Sequence, residues 1–412
     1  MALHSTGSVR SSNNAVLVVH CDGAVDPERV SRSVERFLQF CPWPAARLRR
    51  PFPWGKLHWA PSGPGGARPP VRRRTIASAE ELDEALDAEI NTGIDPTREP
   101  PLRFLAVDGA RDALVLTWFH PLMDPRGAQN LLHHLVHLDR HPGPAPWGSA
   151  VPIFVRTADT RTVRERGRLA RRSMAYMQTL PRTVPVSSPP AAGVRVRFRQ
   201  ATFVERDGTA KPSRATHEIW WRLAVVGKAM RGLWEQRRVP DLPFVLPIAV
   251  DLRPKGELGP TFGNMLAFHF ARFKPSDTAD VPRLASVLRE QMADALRDGQ
   301  IDANAVAMDF LQYRPLAFVR RALRRMGGEI FSFNCADVTD FPATVEQCFG
   351  RRVVNAYHIP AVPPRPGIGV FFNRCAGRSN LVVAWIDGVV SDNDVTRIVE
   401  IVREGMGWVE AS

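Results

Sequence analysis

Between Ala113 and Gly127 the chain passes from strand chemistry to helix chemistry around a single histidine, which stands four residues before an Asp. Residues Ala113 to Phe119 are apolar or β-forming throughout, which predicts a buried strand. Pro121 disfavours the helical conformation in the residue before it, so His120 is expected to be extended, at the very end of that strand. Asp124-Pro125 reads as a helix start, with Asp as N-cap and Pro at the first helical position. Leu131, Leu132 and Leu135 follow at helical spacing. His120 is therefore predicted in a strand-to-helix turn near the positive end of a helix, where imidazolium is disfavoured and a neutral base is available. That is a setting for a general base. The same residue types also make an ordinary strand end and cap, so the pattern alone leaves both readings open.

At 412 residues the chain is long enough for two lobes, each with its own core. An apolar fraction of 44% and a charged fraction of 24% are those of a globular protein. Phe244 to Val250 is the best candidate for a membrane span, but it is far too short and contains Pro247. Met1 to Asn14 is polar and lacks the apolar core of a signal peptide. The five cysteines (Cys21, Cys41, Cys335, Cys348, Cys375) are scattered and never form a CxxC pair, so free thiols in a reducing compartment, the cytoplasm, are expected.

The net charge of +13 is carried almost wholly by arginine, as in a protein from a GC-rich bacterial genome. It equally fits attraction to an anionic partner: a phosphorylated cofactor, an acidic carrier protein or a membrane surface. No helix-turn-helix, zinc-finger or RNA-binding signature is present, so nucleic acid is not the expected partner. Serine-hydrolase and nucleotide-binding readings fail for want of a GxSxG elbow or a P-loop.

Two segments share one layout. Ala15 to Val19 reads as a strand, Asp22-Gly23 as a turn, and Asp26-Pro27 opens an amphipathic helix carrying Val30, Val34, Phe37 and Leu38. Leu381 to Ile386 is again a strand, Asp387-Gly388 a turn, and Ser391 caps a helix carrying Val395, Ile398, Val399 and Val402. A strand–turn–helix unit in each half predicts two lobes of related architecture. Between them, Pro and Gly cluster at Pro142 to Pro146 and at Pro181 to Pro190, enclosing an Arg-rich stretch, Arg156 to Arg172. This marks a crossover linker, and the expected division is an N-terminal lobe over 1–145, a linker over 146–199 and a C-terminal lobe over 200–412. Arg161, Arg164, Arg168, Arg171 and Arg172 read either as a solvated helix face or as a docking face for an acidic carrier or a membrane. Pro61 to Pro70 is a second Gly/Pro-rich loop. His133, His137 and His141 recur every four residues, a spacing that can present imidazoles to one metal, but no carboxylate or Cys accompanies them and no metal is expected.

Taken in order, five segments resemble the chloramphenicol-acetyltransferase-like superfamily of thioester-dependent acyltransferases, which includes condensation domains, wax-ester synthases and alcohol acyltransferases. Val16 to Leu38 looks like the opening strand and helix. Asp95-Pro96 with Pro100-Pro101-Leu102-Arg103 looks like the segment ahead of the active-site strand. His120-Pro121-Leu122-Met123-Asp124 matches the HxxxD core. Val250-Asp251-Leu252-Arg253-Pro254 through Gly263-Asn264 looks like the "LRP…GN" segment, and Leu381 to Val402 like the closing strand and helix. Two positions depart from the pattern: Phe119 stands where condensation domains usually carry a second His, and Pro125 where a Gly usually follows the Asp.

The resemblance implies an α/β fold of mixed sheets in two lobes, with an active-site tunnel between them and the catalytic His at mid-tunnel. It implies transfer of an acyl group from acyl-CoA or a carrier-bound phosphopantetheine thioester, as co-substrate rather than permanent cofactor, to a hydroxyl or amine of a small-molecule acceptor. His120 is then the base. Asp124 is expected to be structural and to pair with Arg103, and Asn264 to approach the channel. A donor for the developing oxyanion is needed; Ser332 and Asn334, in the strand-like stretch Ile330 to Asn334, are candidates for it or simply a structural polar pair. Expected partners are an acidic acyl or peptidyl carrier protein and, peripherally, a membrane; a monomer is expected. The alternative is a condensation-like fold without turnover that binds a carrier protein.

Overall fold

The computed structural model describes residues 13–61, 66–141, 160–186, 195–205, 215–238, 242–253, 262–315, 331–342 and 345–410. The expected features at Pro142 to Pro146, Arg156, Ser187 to Pro190, Pro254 and Ile330 lie outside these residues.

Two sheets organise the chain. The first contains β4 (Val71–Ile76), β5 (Leu102–Gly109), β6 (Ala113–Phe119), β1 (Asn14–Cys21), β12 (Arg351–Ile359) and β11 (Gln347–Cys348), neighbouring in that order. β1 and β6 lie at its centre and pair antiparallel, Leu17 opposite Leu116 and Ala15 opposite Trp118. Every residue of β6 is buried, as its unbroken apolar run predicts. One face is covered by α1 (Pro27–Phe40) and α3 (Pro125–Arg140), where Leu17, Leu116, Trp118, Phe37, Leu131 and Leu135 form one core. The other face, with Val16, Val18 and Val115, packs on α2 (Ala79–Asn91) and joins a second core.

The second sheet runs β10 (Asn334–Asp340), β13 (Ile368–Cys375), β14 (Arg378–Ile386), β7 (Val196–Glu205) and β15 (Trp408–Glu410). Its helices are α5 (Ala215–Gln236), α6 (Val281–Arg297), α7 (Gln300–Leu311) and α8 (Asp392–Met406). Ser391 caps α8 in a reciprocal capping box with Asp394. Short ribbons complete the fold: β2 (Arg47–Arg49) with β3 (His58–Ala60), and β8 (Phe244–Asp251) with β9 (Leu266–Phe273).

The two expected strand–turn–helix units are present, β1–α1 in the first sheet and β14–α8 in the second. Sheet membership does not follow sequence order, however. Residues 347–359 come from the C-terminal half and complete the first sheet, because β12 pairs with β1, Leu17 opposite His358. At the junction of the sheets Asn355 and Asn380 exchange side-chain hydrogen bonds of 2.8 and 2.9 Å.

The Arg-rich stretch forms α4 (Val163–Gln178), opened by a capping box between Thr162 and Glu165. It is docked on one side: Ser173 donates to Asn304 at 2.7 Å, Tyr176 donates to the Phe270 carbonyl, and Arg161 and Arg166 pair with Asp302 and Asp309 of α7. Arg164, Arg168, Arg171 and Arg172 face outward; Arg161 is not part of that free face. Among the described residues no helix is long and apolar enough to cross a membrane.

Candidate active site

β6 ends where the sequence analysis places it, and the next five residues make a braced loop. Leu122 N–H donates to the Phe119 carbonyl across the His120-Pro121 turn, and His120 N–H donates to the Asn13 carbonyl, both at 2.8 Å. From below, Trp118 Nε1 donates to the Met123 carbonyl at 2.9 Å. Asp124 is the N-cap of α3, its carboxylate accepting from Gly127 N–H at 2.8 Å, and Pro125 occupies the first turn. Pro125 therefore fits the helix start without displacing the cap. Gly127 is required for a different reason: a Cβ there would stand 2.1 Å from the Phe262 carbonyl oxygen, so only glycine lets the helix approach that segment.

The far side of the loop is held by the β8–β9 ribbon. Arg253, just past β8, donates to both carboxylate oxygens of Asp124 at 2.9 and 3.0 Å, and also to the Gly263 carbonyl and Asp251. Met265 N–H donates to the same carboxylate at 2.8 Å. Asp124 is fully buried, and burial pushes its pKa up; the Arg253 guanidinium and the two backbone donors oppose that. Four donors and no acceptor surround the group, which is the environment of an ionised carboxylate. Asn264 Nδ2 donates to the carbonyls of His120 and Pro121 at 3.0 and 2.9 Å, fixing the backbone on either side of the histidine's peptide link.

This corrects one expectation. Arg103 does not pair with Asp124. It lies on β5 opposite Thr117, and their side chains point to the α2 face of the sheet, whereas Asp124 caps a helix on the other face. There Arg103 donates to the buried Glu89 carboxylate at 2.6 Å and to the Glu89 and Thr92 carbonyls, and Thr117 donates to Glu89 as well.

His120 itself is 8% exposed, and its Nδ1 is buried. Nε2 is the ring nitrogen left to meet a ligand. Burial lowers its pKa to about 4, so the ring is neutral near pH 7. A second buried histidine stands near it. His358 of β12 packs edge-on against Trp118 at 5.9 Å, its Nε2 lies 3.3 Å from Gln129 of α3, and its backbone N–H donates to Asn373 of β13. Burial first, then the proximity of His120, lower its pKa to about 3. Neither Gln129 nor His358 was singled out from sequence. A lone His in an apolar strand carries no local signal, and its approach to His120 exists only because β12 returns to the first sheet.

The structure thus brings His120, Asp124 and Asn264 together, and Arg103 falls on the opposite face. Ser332 precedes β10 rather than lying within a strand. Its hydroxyl meets Thr183 at 2.6 Å and accepts from Val245 N–H at 3.1 Å, so it ties three segments of the second core. Asn334 opens β10 beside Gly369, and its side chain has no hydrogen bond among the described residues. The rings of His137 and His141 stack at 4.4 Å, and no group of three potential ligands able to hold a metal occurs among the described residues.

Comparison with solved structures defines the class of fold. The chain is similar to the first condensation domain of the calcium-dependent antibiotic synthetase in complex with a substrate analogue, with a TM-score of 0.66, 15% identity, and 96% of this chain and 92% of that one covered. It is similar to a variant of the starter condensation domain of rhizomide synthetase in complex with C8-CoA, at TM-score 0.66, 13% identity and coverage of 96% and 89%. The condensation domain from the Monacolin K polyketide synthase gives 0.64, 13%, 96% and 92%. The protein therefore has the fold of these condensation domains, a mixed α/β architecture. No family model and no curated protein matches the chain.

Proposed function

We propose that the protein is an acyltransferase of condensation type, moving an acyl group from a thioester to a hydroxyl or amine of a small-molecule acceptor. The observation that carries this reading is a neutral, braced histidine. His120 is deprotonated at physiological pH, has one ring nitrogen buried, and sits on a loop clamped by Asp124–Arg253 and Asn264.

An alcohol or amine is a weak nucleophile until its proton is taken during attack. His120 Nε2 accepts that proton as the acceptor's oxygen or nitrogen bonds to the thioester carbonyl carbon. The resulting oxyanion lies beside the new imidazolium, and this opposite charge offsets the low basicity that burial imposes. Collapse breaks the C–S bond, and the thiolate leaves with the proton returned by His120. Asp124 has no part in the proton path, since its four acceptor contacts are all occupied by structural donors. The donor is acyl-CoA or an acyl- or peptidyl-carrier phosphopantetheine, reached through a tunnel between two lobes, the first completed by residues 347–359. The outward arginines of α4 suit an acidic carrier. Buried free thiols at all five cysteines suit a reducing compartment.

The test is release of free thiol from a panel of acyl-CoA and acyl-pantetheine thioesters, with and without amine and alcohol acceptors. Acceptor-dependent release that vanishes in His120→Ala supports the reading. A panel without turnover, together with tight binding of a carrier protein, would replace it with the binding-module alternative.

A further inference from the structure

The β2–β3 hairpin carries a surface that the acyl-transfer reading does not use. Residues 47–60 contain four cationic side chains, Arg47, Arg49, Arg50 and Lys56, and no acidic one. At the tip, Phe52 and Trp54 are each 60% exposed. The tip is built rather than slack. Gly55 N–H donates to the Phe52 carbonyl at 2.8 Å, and the Arg50 guanidinium donates to the carbonyls of Pro53 and Gly55.

The same guanidinium reaches the Arg314 carbonyl, and Leu57 N–H donates to the Gln312 carbonyl at 3.2 Å. These ties set the end of α7 beside the tip, where Met308, Leu311 and Tyr313 are also exposed. Five of the nine large apolar side chains exposed among the described residues therefore gather at one corner, which scattered surface hydrophobes do not do. Around them Arg49, Lys56 and Arg314 are exposed, and the one acid in 308–315, Asp309, is paired with Arg166 at 3.5 Å.

We propose that this corner docks reversibly on an anionic lipid surface, with Phe52 and Trp54 entering the headgroup region and the cations meeting lipid phosphates. Tryptophan and phenylalanine flanked by arginine and lysine are the side chains that partition to that interface. A second copy of this chain is a poor occupant, because matching the corners would oppose like charges. Single-stranded nucleic acid would use the rings and cations but gain nothing from Met308 and Leu311. The hairpin also has a route inward. Trp59 of β3 packs edge-on against Phe119, the residue before His120, at 6.4 Å. Docking stands independently of whether the protein transfers acyl groups.

The experiment is co-sedimentation of the full chain with phosphatidylcholine vesicles, with and without phosphatidylglycerol, at low and high salt. The Phe52→Ala/Trp54→Ala and Arg49→Glu/Lys56→Glu doubles are run alongside, their melting temperatures confirming that they fold. The wild type should bind anionic vesicles about tenfold or more tighter than neutral ones, and each double should lose about tenfold or more. Because the chain has ten tryptophans, insertion is read as the difference in brominated-lipid quenching between wild type and Trp54→Phe. Failure to sediment, equal binding to neutral vesicles, or unchanged binding by the aromatic double overturns the proposal. So does binding of single-stranded oligonucleotide that the aromatic double loses while vesicles are ignored, which would give the corner to nucleic acid.

Discussion

Asp124 and Arg253 stand 129 residues apart in sequence and meet as a buried two-point ion pair, at 2.9 and 3.0 Å, that joins the loop after β6 to the end of β8. Asp124 lies four residues from His120 along the chain, so the position of the histidine depends on a contact between distant parts of the chain. Asn264 belongs to the same clamp, since it is adjacent to Gly263 and Met265, whose backbone groups also join it.

Removing either member of the pair strands a charge in the interior. Arg253→Ala and Asp124→Asn should each cost about 3–5 kcal/mol in unfolding free energy, measured by denaturant melts. In a double-mutant cycle the two should couple strongly. Asp124→Asn with Arg103→Ala should instead be additive within about 0.5 kcal/mol, because Arg103 is bound to Glu89 on the other face. Strong coupling of Arg103 to Asp124 would contradict the structure.

His120→Ala should leave the melting temperature close to wild type while acyl transfer falls by a factor of about a hundred to ten thousand, the usual cost of a lost general base. Single-turnover rates with an acyl-pantetheine donor separate this from weaker binding. Near-wild-type turnover would remove His120 from the chemistry.

Asn264→Ala tests positioning rather than stability. The side chain is exposed, so losing its two hydrogen bonds should cost only about 1–2 kcal/mol in stability. The loop carbonyls it holds are those of His120 and Pro121, and if His120 is the base a displacement of about 1 Å there can lower the rate by about a hundredfold. The expected signature is a drop in kcat with little change in KM. A change confined to KM would place Asn264 on the substrate instead.

Much of the fold was legible because its signals are local. The strand at Ala113 to Phe119, the Asp124-Pro125 helix start and the Ser391 cap each depend on neighbours within a few residues, and each forms as read. What pairs across the chain was not legible. Arg103 and Arg253 both stand near prolines in segments that resemble the superfamily, and only the pleat of β5, which turns Arg103 toward Glu89, decides between them. Ser332 has the chemistry of an oxyanion donor, but it is fully buried against residues 183 and 245, with its hydroxyl hydrogen-bonded to both. His358 was invisible for the opposite reason: its surroundings are made by β12 returning to β1.

The buried histidines also fix the acid behaviour. His20, His120, His269 and His358 have folded-state pKa values of about 4, 4, 4 and 3, each lowered first by burial from an ordinary value of 6.5. A folded pKa below the unfolded one means that the unfolded chain binds more protons between the two values, so stability rises with pH across that window. The four groups leave stability unaffected above about pH 6.5, then remove it as pH falls toward 4, together on the order of several kcal/mol. Denaturant melts from pH 7.5 to 4.5 should show this slope, and His269→Phe should flatten part of it. The activity profile should differ in kind. With His120 still neutral, kcat/KM in short assays should show no inflection near 6.5 and should fall only close to pH 4, or wherever unfolding intervenes. A reversible acid limb centred near 6.5 would mean that His120 titrates as a solvent-exposed histidine, and would overturn its proposed role as a buried, neutral base.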